Sequence, residues 1–195
     1  MSLRKKMMDL KREFVLEEAG KLFNQDGYEE MKIAELAKQV GVSVGTIYTL
    51  FGSKENLYHN YIISQIEHYG GILETELQQC STSRERIQKI IEIKYQGLSK
   101  NTNALRQSVI NDPTFFIYAI DEEHPLMRVL ELIAKEVMEP LIKESGAKKT
   151  PMELTFLLDG LVLGSVNCAI VCGADLIDKV EETVENFMTL LKAYQ

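Results

Sequence analysis

The sequence predicts an all-α protein of two helical parts, and three observations support this prediction. Apolar residues recur at the three- and four-residue spacing of a helix along most of the 195 residues. Ser, Thr and Pro open these segments and Gly closes them, as expected of helix caps. No segment reads convincingly as a strand. We place the boundary between the two parts at residues 52 and 53.

The first predicted helix spans Lys5 to Gln25, and Gly27 lies just past its end. Its apolar residues fall on one face, which is the pattern of a helix with one side in a core. This predicted buried stripe consists of Val15, Ala19, Leu22 and Phe23.

The next two helices are short and separated by a tight turn. Met31 to Val40 forms the second helix, and Gly41 follows it, where left-handed backbone angles are usual. Ser43 to Phe51 forms the third helix, with the Ser43 hydroxyl as its cap. A helix, a turn of three to four residues containing Gly, and a second helix make a helix-turn-helix. This motif projects its second helix into the major groove of DNA.

The rest of the chain also reads as helix. Ser53 caps a fourth helix to about Gln79, with Gly70 and Gly71 weakening its middle. A fifth helix starts at residues 81–83 and stops near Asn101. The later segments are a short helix at 104–111, an apolar and aromatic stretch at 114–120, a helix from Pro125 to about Lys143, a long helix from Thr150 to Gly173 and a last helix from Asp175 to Ala193.

The charge of the chain is unevenly distributed. The net charge is −7, but residues 1–60 contain nine Lys and Arg and nine Asp and Glu, so the acidic excess lies entirely in the remainder. Phosphate contacts in a neutral N-terminal part must come from a few placed groups and from helix N-termini, because no general positive field exists.

Composition also indicates the cellular compartment in which the chain is expected. The chain has three cysteines, too few for a disulfide scaffold, and no apolar run follows the basic residues 1–6, so we expect a cytoplasmic protein. The longest apolar run, Phe156 to Cys172, contains Asp159 and Asn167 and is short for a membrane span. We therefore expect a buried helix there and no membrane partner.

The segment GVSVGTIYTLFGSKENL, residues 41–57, resembles the signature of the TetR family of transcriptional regulators. Upstream, Leu22, Phe23, Gly27 and Tyr28 match the family's L-F-x-x-x-G-Y. The resemblance is specific over about the first 60 residues, whereas the remainder shares only helical character and length. The residues of the segment that match the signature are Gly41, Val42, Ser43, Gly45, Thr46, Ile47, Tyr48, Phe51, Ser53, Lys54, Glu55 and Leu57.

The resemblance implies an N-terminal helix-turn-helix DNA-binding domain over residues 1–52. It places Thr46, Tyr48 and Lys54 at phosphate-contact positions, where their polar groups fix register. It places Val44, Gly45 and Thr49 toward the bases. Ser43 belongs to the same helix and joins the expected DNA-binding set. For Tyr48 and Lys54 the alternatives are a core-edge aromatic ring and a solvated lysine.

Three departures from the family pattern bear on recognition. Leu50 stands where the family usually has Tyr or His, and Met31 with Lys32 replaces a hydroxyl pair that caps the second helix. The Lys32 amine can substitute as a phosphate contact. Because the third helix has no Arg, no bidentate guanine contact is available, and specificity is expected to depend on apolar contacts and DNA shape.

The C-terminal part, residues 53–195, is expected to bind a ligand and to dimerise. Gly160, Gly164, Cys168 and Cys172 form a stripe of small residues, which permits another helix to approach closely. We predict that this helix and the last one form a four-helix bundle with a second copy. The Cys168 and Cys172 spacing also suits a metal or redox pair, although small packing residues are the favoured interpretation.

Aromatic residues, Met and a lone buried amide commonly line ligand cavities. Ordinary core packing is the alternative for every residue selected on this basis. The expected effector is an unknown hydrophobic small molecule, and the candidates for contact with it are Tyr95, Phe115, Phe116, Tyr118, Met127, Phe156 and Asn167.

The predicted function is a ligand-responsive transcriptional regulator, predicted to be a repressor, that binds a palindromic double-stranded DNA operator as a homodimer. The sequence contains no catalytic constellation, phosphate loop or His-rich metal motif, so neither an enzyme nor a cofactor is predicted. A helical protein-interaction module without operator binding is the main alternative, supported by the neutral N-terminal charge and Leu50. An enzyme is the second alternative.

Overall fold

The computed structural model of the chain describes residues 3–100 and 124–195, and every regular element in these ranges is helical. The predicted all-α fold class is confirmed. The predicted short helix at 104–111 and the aromatic stretch at 114–120 lie outside the described residues. The helices are α1 (Leu3–Glu30), α2 (Ile33–Val40), α3 (Val44–Phe51), α4 (Lys54–Leu77), α5 (Ser83–Lys100), α6 (Pro125–Ile133), α7 (Glu139–Ser145), α8 (Pro151–Cys172) and α9 (Val180–Lys192).

Several predicted boundaries need correction. Met31 precedes α2 as a buried residue, and Ser43 is the N-cap of α3 and not its first helical residue. A π-helical turn, Ala134–Met138, divides the helix predicted from Pro125 to Lys143, and the last helix begins at Val180. Gly27 interrupts α1 with φ 79° and ψ 170°, so the regular part of that helix ends where predicted.

The chain forms two compact units, and the boundary between them lies within α4, after Gln65. The described residues of the first unit are 3–65, and those of the second are 66–100 and 124–195. The division of function at residues 52 and 53 stays a proposal, because α4 contributes residues to both units.

The first unit packs around aromatic rings from α1 and α4. The Phe23 ring meets Tyr58 edge-on at 5.1 Å between centroids and lies 5.6 Å from Tyr61. Gly20 allows this contact, because a Cβ there would lie 2.5 Å from Cε2 of Tyr61. The predicted stripe of Val15, Ala19, Leu22 and Phe23 is buried, as expected.

The second unit has its own core, in which α9 packs against both α5 and α8. Ile87, Ile90 and Ile91 are fully buried, and full burial of such a side chain contributes about 1.5–3 kcal/mol. The hydroxyl of Tyr95 shares a hydrogen bond of 2.8 Å with Oγ1 of Thr183 on α9. This bond gives the buried Tyr95 hydroxyl its partner, whereas the Thr183 hydroxyl also donates to the carbonyl of Lys179 at 2.8 Å.

Helix α8 is only partly buried in the single chain. It is the one helix in the described ranges that is long and apolar enough to cross a membrane, with a mean hydropathy of 1.9 over its most apolar window, of which a third is buried. The expectation of a buried helix therefore needs correction. Phe156 is 55% exposed, Val171 is 85% exposed, and the small-residue stripe lies on the same exposed side. An added Cβ at Gly160 or Gly164 would meet no atom within 4 Å.

Candidate nucleic-acid interface

Two residues set the turn between α2 and α3. Gly41 adopts left-handed angles of φ 74° and ψ 36°, which cost other residues roughly 1–2 kcal/mol. Ser43 Oγ accepts a hydrogen bond from the backbone N–H of Thr46 at 3.1 Å and so caps α3. Local chemistry thus ends one helix and starts the next within three residues, as a helix-turn-helix requires.

Helix α3 has an inner and an outer face. Ile47 and Phe51 are buried in the first unit, with exposed fractions of 1% and 5%. Val44 and Tyr48 are 39% and 46% exposed, and Gly45 and Thr49 are exposed beside them. The residues expected to face the bases or the phosphates therefore lie on the outside of the helix. The core-edge interpretation of Tyr48 is not supported by this exposure.

The two threonine hydroxyl groups of α3 already have partners in the helix or at its N-cap. Oγ1 of Thr46 lies 2.9 Å from Oγ of Ser43, and Oγ1 of Thr49 donates to the carbonyl of Gly45 at 2.8 Å. Because the Thr49 hydroxyl is held against the backbone, its methyl group is the part of the side chain left for an apolar contact. A thymine methyl is the matching group on DNA.

Lys54, the first residue of α4, is partly buried and held in place by α1. Its Nζ donates to the carbonyl of Glu29 at 2.9 Å and lies 4.8 Å from the centroid of the Tyr28 ring. Burial, together with the negative charge of Glu55, raises the pKa of Tyr28 to about 12, so the ring stays neutral beside the cation. An ammonium group has three hydrogens, so the contact with Glu29 leaves others for a phosphate.

Replacing Lys54 with Ala is expected to weaken binding to all duplex sequences about equally and to lower the salt slope by about one. The loss of the contacts to Glu29 and Tyr28 should also lower the melting temperature slightly. Anisotropy titrations over a salt series measure the slope. Lys135→Ala is the matched control, since Lys135 is 76% exposed in the second unit. An unchanged affinity and slope would show that Lys54 has only a structural role.

Arg12 of α1 is a positioning residue that the sequence did not reveal. Its guanidinium donates to the backbone carbonyl of Leu50 and to Oδ1 of Asn60 at 2.7 Å, and it lies 4.4 Å from the centroid of the Phe51 ring. One side chain thus connects α1 to the end of α3 and to α4. A basic residue on an N-terminal helix carries no local signal for such a role, because its partners lie 38 and 48 residues away.

The start of α2 lacks the side-chain cap that the family pattern supplies. Lys32 is the N-cap residue, makes no capping hydrogen bond and is exposed. Met31 is 2% exposed and packs inside the unit. The Lys32 amine is therefore accessible, and its phosphate contact stays a prediction.

The residues predicted to bind an effector differ in burial, and three of them, Phe115, Phe116 and Tyr118, lie outside the described residues. Tyr95 is fully buried and bonded to Thr183, whereas Phe156 is exposed on α8 and Met127 is half-buried on α6. Asn167 is exposed, so the expected buried amide is a wrong prediction for the single chain. Assignment of a ligand to the four described candidates stays a prediction.

The thiols of Cys168 and Cys172 lie 3.9 Å apart on the exposed side of α8. Hydrogen bonding from Cys168 and its negative charge raise the pKa of the Cys172 thiol, so it stays protonated at neutral pH. Within the two described ranges, no three His, Cys, Asp or Glu side chains converge as metal ligands would. A redox or metal role for the pair stays an open alternative to small-residue packing.

Comparison with known proteins agrees with this geometry. Residues 15–61 match the family model described as bacterial regulatory proteins of the tetR family. The HTH-type transcriptional regulator YuxN of Bacillus subtilis is 26% identical over 183 residues, covering 85% of this chain and 57% of YuxN. The HTH-type transcriptional regulator BetI of Brucella melitensis is 23% identical over 164 residues, covering 80% of each chain.

Solved structures with low sequence identity share the fold. FadR from Bacillus subtilis in complex with stearoyl-CoA superposes with a TM-score of 0.69 at 16% identity, over 89% of this chain and 95% of FadR. A transcriptional regulator from Saccharomonospora viridis in complex with choline gives a TM-score of 0.67 at 19% identity, over 91% and 95%. The match of residues 15–61 to the tetR family model, the related regulators and the shared fold lead to one conclusion: the N-terminal part of the chain is a tetR-type helix-turn-helix domain, and the findings together support a TetR-family transcriptional regulator.

Proposed function

We propose that the chain is a ligand-responsive, DNA-binding transcriptional repressor that acts in the cytoplasm as a homodimer. The observation that carries the DNA-binding part is the outer face of α3. The inner face of this helix is fixed in the core. The outer face presents Val44, Gly45, the phenol of Tyr48 and the methyl group of Thr49. Such a face suits the major groove, where a helix of this size fits.

Gly45 supports this proposal because no residue in the described parts of the chain requires a glycine there. A Cβ at this position would have Oγ of Ser43 at 3.8 Å as its nearest neighbour, which is ordinary contact. Glycine in a helix costs about 0.5–1 kcal/mol relative to Ala. Close approach of the α3 backbone to an external surface explains why the position lacks a side chain.

Sequence preference is expected to depend on Val44 and Thr49. Replacing either with Ala should change the preferred base at defined operator positions, by about 1–3 kcal/mol at most, because thymine methyl contacts are lost. Competition titrations with single-base operator variants measure this. Tyr48→Phe serves as the comparison, because it removes a phosphate donor and should weaken all sites evenly. If Val44→Ala lowered the affinity for all operator variants equally, Val44 would only position the helix.

The homodimer is proposed to form through α8 and α9. The exposed side of α8 is mostly apolar, with Asn167 as a polar residue within it, and the stripe of Gly160, Gly164, Cys168 and Cys172 leaves room for a helix of a second copy. Monomeric proteins rarely leave a large apolar surface in water. A dimer also provides two copies of α3, which a palindromic operator requires.

Effector control is proposed for the second unit. Two regulators of the same fold are solved with stearoyl-CoA and with choline, so the fold accepts chemically different ligands. We propose that a small molecule in the second unit changes the separation of the two α3 helices and so weakens operator binding. This is a population shift, and its size is limited by the difference in ligand affinity between the two states.

Selection of binding sites from random duplex DNA tests the proposed function. Recovery of an inverted repeat would support an operator-binding dimer. No enrichment even at low salt would favour a helical protein-interaction module without operator binding. An enzyme remains a distant alternative, which turnover of a substrate by the purified chain would support.

A further inference from the structure

Three side chains of the second unit form a polar cluster beside its apolar core: Tyr69 of α4, Lys94 of α5 and Asp159 of α8. Lys94 Nζ donates to Oδ1 of Asp159 and lies 6.0 Å from the centroid of the Tyr69 ring. The Lys94 side chain is 19% exposed. The Tyr69 hydroxyl is buried and forms no hydrogen bond to any residue of the two described ranges.

A buried hydroxyl without a partner is uncommon and needs an explanation. Burial raises the pKa of Tyr69 far above its ordinary value, and the negative charge of Asp159 raises it further. The hydroxyl therefore keeps its proton at every physiological pH and serves as a hydrogen-bond donor. An acceptor from outside the protein would satisfy it.

The cluster has more donors than acceptors. The ammonium of Lys94 carries three hydrogens, and within the described ranges Asp159 is its hydrogen-bond partner. Two ammonium hydrogens and the Tyr69 proton are then left as donors. The second carboxylate oxygen of Asp159 is the one acceptor group left in the cluster for these three donors. A group with two acceptor oxygens and a negative charge matches this arrangement, and a carboxylate is the simplest such group.

The surroundings of the cluster are apolar. One helical turn from Tyr69 and Lys94 lie Leu73 and Ile90, which are fully buried in the same core. The Asp159 side chain is 39% exposed, whereas the Lys94 side chain is about half as exposed. Asp159 can therefore turn toward water when another anion takes its place on Lys94.

From this geometry we propose that Tyr69 and Lys94 bind the carboxylate of the effector, and that the effector is an aliphatic or aromatic acid with an apolar body. The proposal rests on the proposed ligand-responsive function and names the chemical class of the ligand. A cationic ligand fits less well, because it would have to displace the Lys94 ammonium and would leave the Tyr69 proton without an acceptor.

The probes are straight-chain carboxylates from octanoate to palmitate, with the corresponding alcohols and alkyltrimethylammonium ions as matched controls. Calorimetry and thermal shift are measured on the wild-type full chain. We expect carboxylates to bind and to raise the melting temperature, and the alcohols and ammonium ions to bind at least about tenfold more weakly, because they lack the charge-assisted hydrogen bonds.

Two variants separate ligand binding from a structural role. Tyr69→Phe should weaken carboxylate binding by about tenfold or more while the ligand-free protein melts at the same or a higher temperature, because an unpaired polar group is removed. Asp159→Asn should strengthen carboxylate binding several-fold, because the competing anion is gone. A purely structural cluster would change only the melting temperature in both variants.

The proposal is overturned if no carboxylate binds the wild-type chain, or if Tyr69→Phe binds carboxylates as well as the wild type does. It is also overturned if an alkyltrimethylammonium ion binds and Asp159→Asn abolishes that binding. Operator binding without ligand is measured on the same preparation. If the wild-type chain binds the operator but no carboxylate, only the proposed ligand class is contradicted. If it binds carboxylates but no operator, the proposed DNA-binding function is contradicted.

Discussion

Replacing Gly164 with Leu is expected to separate the dimer into folded monomers and to lower operator affinity in parallel. A bulky side chain in a close helix contact costs about 1–3 kcal/mol by overpacking, which corresponds to a roughly 5- to 150-fold weaker dimer. The single chain itself should tolerate the change, since no atom lies within 4 Å of the added Cβ. Sedimentation measures the dimer, and helical circular dichroism checks the fold.

Gly71→Leu is the matched control for this experiment. Gly71 is also an exposed helical glycine with no atom within 4 Å of an added Cβ, but it lies on α4. This variant should keep the wild-type dimer and the wild-type operator affinity. If both variants behave alike, or if the wild-type chain is a monomer at micromolar concentration, the dimer contact proposed for α8 is wrong.

Replacement by Ala at two glycines of the first unit, Gly20 and Gly45, is expected to have opposite effects on the free energy of unfolding. Gly20→Ala places a Cβ 2.5 Å from Cε2 of Tyr61, a ring that is 3% exposed and packed against Phe23. The resulting overpacking should destabilise the unit by about 1–3 kcal/mol. Gly45→Ala, in contrast, adds a methyl group in ordinary contact with Oγ of Ser43 at 3.8 Å and should stabilise α3 by about 0.5 kcal/mol.

DNA affinity should distinguish the two variants further. Gly45→Ala is expected to weaken operator binding by about tenfold, or about 1.4 kcal/mol, although the free protein is more stable, because the methyl group holds α3 away from the bases. Urea unfolding and anisotropy titration of both variants measure the two quantities. A Gly45→Ala variant that binds DNA like the wild type would remove close approach as the reason for this glycine.

Local chemistry explains why the helix-turn-helix could be predicted from the sequence. The left-handed angles of Gly41, the cap by Ser43 and the cap of α8 by Thr150 and Glu153 involve atoms within about four residues of one another. A sequence records such relationships directly, because the interacting residues are neighbours along the chain. Two of the corrected helix starts, at Met31 and Val180, lack such a side-chain cap.

The parts that could not be predicted depend on residues far apart in sequence. Lys54 is held by Glu29, and Arg12 reaches Leu50 and Asn60, although nothing near either basic residue indicates its partner. The Tyr69, Lys94 and Asp159 cluster joins three helices in the same way. Effector candidates chosen by residue type alone included Tyr95, whose hydroxyl has a partner in the core.

The footprint of the wild-type chain on a selected operator is the direct test of whether the chain binds DNA as a dimer. If two copies of α3 occupy successive major grooves, hydroxyl-radical cleavage should show two protected half-sites on one face of the duplex. Their centres should lie about one helical turn, or roughly 10 base pairs, apart, or at a multiple of that spacing. A single protected half-site at all concentrations, or uniform protection without sequence preference, would contradict a dimeric operator-binding regulator.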